Sequence, residues 1–200
     1  NRNVVVRTGT YADCGDMDII IITAGAPPKM GQSRLDTLEL TAKICKSIVP
    51  PIMESGFDGI FLTISNPVDI VSHFVYKLSG LPKNQVIGTG TAIDSARLQI
   101  YIGQLAKVDP RSVHAYSMGE HGDSQMVPWS TVTVAGKPFF DVIQDNKQMI
   151  GDVDLDDLVY KTTQRGWEIL NRKGTTYYGI GTACAGIVKA ILNDENRIVP

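Results

Sequence analysis

Asp18-Ile19-Ile20-Ile21-Ile22-Thr23 decides how the first half of the chain is read. The run is short, unbroken and β-branched, the pattern of a strand buried on both faces of a parallel sheet. It empties into residues 24–33, Ala-Gly-Ala-Pro-Pro-Lys-Met-Gly-Gln-Ser, too rich in Gly and Pro to be helix. Ser33 is a candidate N-cap. Beyond it, Leu35, Leu38, Ile44 and Ile48 recur at helical spacing until Pro50-Pro51 interrupts the pattern. A second buried strand, Gly59-Ile60-Phe61-Leu62-Thr63-Ile64, ends in Ser65-Asn66-Pro67. A helix from about Val68 to Leu78 is closed by Gly80 and Pro82, and Gln85-Val86-Ile87-Gly88 forms a third short strand. Strand–helix–strand–helix–strand implies right-handed crossovers and a parallel α/β sheet. Ligands of such sheets bind beyond the carboxyl ends of the strands, where the loop after Thr23 and the Asn66 turn both lie.

The pattern changes near residue 90. A helix over roughly Ile93 to Ala106 leads through Ser112-Val113-His114-Ala115-Tyr116 to a glycine-flanked histidine, His121. Residues 127–134 and Phe139-Phe140 are expected to be strands of an antiparallel sheet. Two helices follow, about Leu155 to Asn171 and Gly179 to Leu192. This half reads as a separate α+β unit, so the expected division is 1–90 and 91–200.

The composition excludes several classes. With 43% hydrophobic residues the 200-residue chain can bury a core. Nineteen basic and 21 acidic side chains give a net charge of −2, without the basic excess expected for a nucleic-acid or membrane-surface protein. No apolar run reaches the length of a membrane helix. Cys14, Cys45 and Cys184 are odd in number and far apart, which reads as reduced thiols in a cytoplasmic protein. The chain opens without methionine on Asn1-Arg2-Asn3 and stops at Arg197-Ile198-Val199-Pro200. Both ends are expected to be cut.

Chemistry concentrates in Gly119-Glu120-His121-Gly122-Asp123-Ser124. Flanking glycines leave a histidine ring unsupported as a packing residue, and an imidazole suits general acid–base work near neutral pH. Ala92-Ile93-Asp94-Ser95-Ala96-Arg97 supplies an orienting carboxylate and an anion-binding guanidinium. Asp94 and Arg97 share a helix face at a spacing of three, which is equally the spacing of a surface ion pair. Arg34 is either a solvated first-turn residue or a cation set against the helix dipole to meet an anionic substrate on loop closure. Asn66 is either a turn residue or faces the ligand crevice. Gly88-Thr89-Gly90 and Gly179-Ile180-Gly181 each lack the third glycine of a dinucleotide fingerprint. Asp13, Asp16 and Asp18 have no His or Cys partner nearby, so they read as solvated charges and no metal is expected.

Taken together, Thr23-Ala24-Gly25-Ala26, Ser65-Asn66-Pro67-Val68-Asp69, Asp94-Ser95-Ala96-Arg97 and Gly119-Glu120-His121-Gly122-Asp123-Ser124 resemble the lactate/malate dehydrogenase family, on its L-lactate branch. The resemblance runs through essentially all 200 residues. It implies a partial NAD-binding Rossmann domain over 1–90 and a partial catalytic domain over 91–200. His121 is then the acid–base residue and Asp94 its orienting partner. Arg97 binds the substrate carboxylate, and Arg34 arrives with the closing loop to polarise the carbonyl. Asn66 lies beside nicotinamide and substrate oxygen. Gly25, Ala26, Ser47, Ile64 and Thr89 line the cofactor path, and Thr176 and Pro28 border the substrate's side chain. The implied cofactor is NAD, the substrate a small 2-oxo or 2-hydroxy acid, and the assembly a homotetramer or homodimer.

Three departures shape the expectation. The family's Gly-rich turn and ribose-binding acid would precede Asn1, and its last strands and helix would follow Pro200. Six residues before Arg34, where lactate enzymes usually carry Gln and malate enzymes Arg, stands Pro28, with Lys29 beside it. This disfavours a dicarboxylate and leaves room for 2-hydroxyisocaproate-like acids. Enzymes activated by fructose 1,6-bisphosphate carry an interfacial Arg and His. His114 fits the second, but Gln99 stands in place of the first, so weak activation or none is expected. The resulting expectation is an L-lactate dehydrogenase, with a branched-chain 2-hydroxy acid enzyme next, malate third, and a catalytically silent binding protein as the alternative of another class.

Overall fold

The computed structural model describes residues 4–26 and 37–200. The chain divides into two compact units, Asn1–Gly88 and Thr89–Pro200.

In the first unit, β1 (Ile19–Ile22), β2 (Ile60–Thr63) and β3 (Val86–Gly88) form a parallel sheet in the order β1-β2-β3. Ile20 pairs with Phe61, and Phe61 with Val86. Helices α1 (Leu38–Glu54) and α2 (Val68–Ser79) make the crossovers. Their apolar stripes meet the sheet in a core of Ile22, Cys45, Val49, Ile52, Phe57, Phe61, Val71 and Val75. Burial pushes the Cys45 thiol above its ordinary range. The parallel α/β architecture inferred from the strand runs is therefore present.

Two details differ. β1 is not covered on both faces: as an outer strand of the three, it leaves Ile21 41% exposed, while Ile22 is buried at 4%. And α1 is not stopped by its prolines but continues through Pro50 and Pro51 to Glu54. A proline inside a helix deprives the carbonyl four residues earlier of its donor. Those residues are Lys46 and Ser47, both exposed, so water can serve their carbonyls. Val49 and Ile52, 0% and 3% exposed, hold the last turns on the core. Gly59 leads into β2 because a side chain there would meet the Asp18 carbonyl at 2.4 Å.

The second unit begins with α3 (Ala92–Ala106). Then β4 (Val113–His114), β5 (Thr133–Val134) and β6 (Lys137–Pro138) form a small antiparallel sheet. Helices α4 (Phe139–Asp145), α5 (Lys147–Ile150), α6 (Leu155–Lys173) and α7 (Tyr178–Leu192) complete it. The core is Leu98, Ile102, Val113, Ala115, Val127, Val132, Val134, Phe139, Val142 and Leu158. Asp154 caps α6 by accepting from the backbone N–H groups of Asp156 and Asp157.

The strands expected here are shorter than the apolar pattern indicated. Pro128 opens a 3-10 turn over Trp129–Thr131, so only Thr133–Val134 pairs in a sheet. Phe139-Phe140 begins α4 rather than a strand. Pro138 has no N–H to continue the ladder, and it immediately precedes the helix. Phe139 is buried against Trp129 with ring centroids 5.7 Å apart, and Phe140 is left 50% exposed. Among the described residues no helix is long and apolar enough to cross a membrane.

Candidate active site

The site grows from the first turn of α3. An acidic residue there is favoured by the helix dipole, and Asp94 is the first buried position after Thr91. Its carboxylate is 1% exposed and divided between two partners. Oδ1 accepts from Arg97 Nη1 at 3.0 Å, and Oδ2 accepts from His121 Nδ1 at 2.6 Å. The Arg97 and His121 side chains are 13% and 12% exposed. With Nδ1 donating to a carboxylate, the ring is held in one tautomer with Nε2 as its other nitrogen. The ion pair readable from the spacing of three is thus a largely buried one, and the histidine 27 residues away shares it.

Gly119 takes φ +90°, a left-handed conformation costly to any residue with a side chain. Paired backbone hydrogen bonds between Met118 and Met126, 2.8 and 2.9 Å, close the loop around His121. Within it Gly122 N–H donates to the Glu120 carbonyl at 2.9 Å, and Ser124 Oγ donates to Glu120 Oε2 at 2.6 Å. The loop is docked onto α3 by hydroxyls that reading the sequence did not single out. Thr91 Oγ1 and Ser95 Oγ donate to the Ser117 carbonyl at 2.5 and 3.3 Å, and Ser117 N–H donates to Ser95 Oγ at 2.9 Å. Thr91 precedes the helix at a position where its hydroxyl could cap it, yet the hydroxyl serves Ser117 instead.

In the first unit, a second group gathers at the carboxyl ends of β1 and β2. Ser65 Oγ donates to Ala24 O at 2.6 Å, and Ala26 N–H donates to Thr41 Oγ1 at 3.2 Å. A side chain at Gly25 would crowd Ser65 Cβ at 3.3 Å and Thr41 Cγ2 at 3.5 Å. Ile64 N–H donates to Ile22 O at 2.9 Å, which ties the segment carrying Asn66 to the same place. Asn66 joins Pro67 through a cis peptide bond. Gly25, Ala26, Ile64 and Asn66 are therefore brought together, by Thr41 and Ser65, whose parts in this the sequence reading missed. Ser47 is exposed on α1, where its hydroxyl donates to Ile44 O at 2.8 Å. Thr89 is 3% exposed just ahead of α3, and Thr176 is exposed between α6 and α7. Pro28, Arg34 and the N-cap candidate Ser33 lie outside the described residues.

Asn66 Oδ1 is buried and, among the described residues, has no hydrogen-bond partner. A buried acceptor without a donor is costly, and this one stands at the carboxyl end of the central strand, where ligands of parallel α/β sheets bind. Together with the side-chain-free surface at Gly25, it fits a nucleotide cofactor or polar substrate that brings its own donor.

Comparison with known proteins gives a consistent result. The lactate/malate dehydrogenase NAD binding domain profile matches residues 1–88, and the alpha/beta C-terminal domain profile of the same family matches 91–200. The chain is 59% identical over its whole length to L-lactate dehydrogenase 3 of Bacillus thuringiensis subsp. konkukian and 50% identical to L-lactate dehydrogenase 2 of Lactococcus lactis subsp. lactis. It spans 63% of the length of each of these relatives. Among solved structures, a lactate dehydrogenase from a Medee basin deep-sea metagenome library superimposes with a TM-score of 0.93 at 46% identity, over 100% of this chain and 63% of that one. The minor L-lactate dehydrogenase of Enterococcus mundtii, in its ligand-bound form, gives 0.92 at 46% identity, over 99% and 63%. With both domain profiles matched along nearly its whole length, the chain belongs to the lactate/malate dehydrogenase family.

Proposed function

We propose that this chain acts in an NAD-dependent L-lactate dehydrogenase that interconverts pyruvate and L-lactate. The observation that carries the reading is the 2.6 Å hydrogen bond between His121 Nδ1 and a buried Asp94 carboxylate. His121 gives a proton from its second ring nitrogen to the 2-oxo oxygen, and takes it back from the hydroxyl in the reverse direction. Asp94 keeps the ring in the tautomer that does this and offsets the charge of the imidazolium. Arg97, aligned by Asp94 Oδ1, receives the substrate carboxylate on its planar guanidinium. The roles of Arg34 in polarising the carbonyl, and of Thr176 and Pro28 in bordering the substrate's side chain, rest on the family resemblance.

NAD, when bound, supplies or accepts the hydride at substrate carbon 2. Gly25, Ala26, Ser47, Ile64, Asn66 and Thr89 are the residues assigned to hold it, supported by the exposed, tightly backed backbone at Gly25 and by the Asn66 oxygen that has no partner among the described residues. Residues 1–90 are assigned to the NAD-binding domain and 91–200 to the catalytic one. A homotetramer or homodimer working in the cytoplasm completes the proposal.

The test is kcat/KM for NADH-dependent reduction of pyruvate, 2-oxoisocaproate and oxaloacetate by the full-length protein. Pyruvate is expected to lead. A lead by 2-oxoisocaproate would transfer the assignment to a branched-chain enzyme with the same proton chemistry. Activity on none of the three would refute the dehydrogenase reading.

A further inference from the structure

The polar residues behind the His121 loop are not explained by binding substrate or cofactor. Ser117 Oγ donates to Gln125 Oε1 at 2.5 Å, and Gln125 Nε2 donates to the Gly122 carbonyl at 2.9 Å. Ser117 is in turn bonded through its own N–H to Ser95 Oγ at 2.9 Å. All three are deeply buried, Ser95 at 3%, Ser117 at 1% and Gln125 at 7%. Apolar side chains could fill the same space without the cost of desolvating hydroxyls and an amide.

These bonds close a circuit. From Asp94 it passes across the 2.6 Å hydrogen bond to His121, along the chain to Gly122, and through Gln125 and Ser117 to Ser95, the neighbour of Asp94 on α3. The two ends of the path thus rest on adjacent residues of one helix. The ring of His121 and the carbonyl of Gly122, the next residue, are referenced to the same rigid turn. We propose that Ser95, Ser117 and Gln125 are positioning residues that set the orientation of the His121 ring against Asp94. The inference rests on the acid–base reading of His121. The Met118–Met126 backbone pairing closes the loop independently, so removing the Gln125 amide leaves the loop's base intact.

Gln125→Met and Ser117→Ala in the full-length enzyme test the proposal, with His121→Asn run beside them. Gln125→Met and Ser117→Ala are each expected to lower kcat for pyruvate reduction by about 10- to 100-fold, the scale of a misplacement of about 1 Å. NADH affinity and pyruvate KM stay within about two-fold, and the solvent deuterium effect on kcat rises as proton transfer becomes limiting. The proton NMR signal of the His121 Nδ1–H, identified by its loss in His121→Asn, is expected to shift or broaden in both variants, with or without substrate turnover. An unchanged signal in both overturns the proposal. So does a fall in kcat matched by an equal loss of NADH affinity and melting temperature, which marks a merely structural role. Retained turnover in His121→Asn defeats the acid–base reading instead, and the imidazole signal still decides whether the circuit sets the ring.

Discussion

Asp94 holds Arg97 with one oxygen and His121 with the other at 1% exposure, so its replacement acts on both partners. In Asp94→Asn one of the two acceptors becomes an NH2 donor. The imidazole loses the partner that selects its tautomer. A drop in kcat/KM for pyruvate on the order of 10²- to 10⁴-fold is expected from steady-state kinetics, by analogy with the loss of an orienting carboxylate in other acid–base triads. Activity within a few-fold of the parent would mean that the carboxylate is structural only. Half of this arrangement was legible beforehand. A spacing of three on a predicted helix puts Asp94 and Arg97 on one face, but it cannot say whether that face is buried. The partnership with His121 spans 27 residues, which no local period encodes; the residue types suggested an orienting carboxylate, and the family resemblance assigned it to His121. Ser117 and Gln125 were missed because a single serine or glutamine in a loop carries no periodic signal. Their importance appears only when the loop folds back on α3.

Elements show where local rules yielded to packing. The three parallel strands and their two crossover helices were readable because short β-branched runs and helical apolar spacing each have one good solution. Pro50 and Pro51 were read as a helix end, since a proline breaks the hydrogen-bond ladder. The buried faces of Val49 and Ile52 hold the helix across that break. In the second unit, apolar runs did not separate strand from turn or helix, and the prolines at 128 and 138 decided the outcome. The central strand also carries a testable feature. Thr63 Oγ1 is fully buried with no partner among the described residues. Valine has the same shape without the polar atom. Thr63→Val is expected to stabilise the protein by about 1 kcal/mol, since an unsatisfied buried hydroxyl costs on that order. Chemical denaturation reads it directly. A lower midpoint would show that the hydroxyl has a partner after all.

At the scale of the whole molecule, one neutral position bears on the expected regulation. The family resemblance puts Gln99 in place of the arginine of activated enzymes, and its amide donates to the Ala115 carbonyl at 3.1 Å. It brings no cation to meet a phosphate, although His114 is exposed nearby on β4. Fructose 1,6-bisphosphate is expected to change the pyruvate half-saturation concentration by less than about five-fold, below the usual range of allosteric coupling. A larger fall would overturn this. The α/β character of the first half and the change of pattern near residue 90 were legible because they depend on element order alone. The geometry that joins a helix to a distant loop was not.

The central claim is that His121 moves the proton, and the most direct measurement is the rate of NADH oxidation with pyruvate by full-length His121→Asn. Asparagine can still hydrogen-bond but cannot serve as the acid or base. The account predicts a fall in kcat on the order of 10²- to 10⁴-fold with NADH affinity retained. Turnover equal to that of the parent enzyme would contradict it.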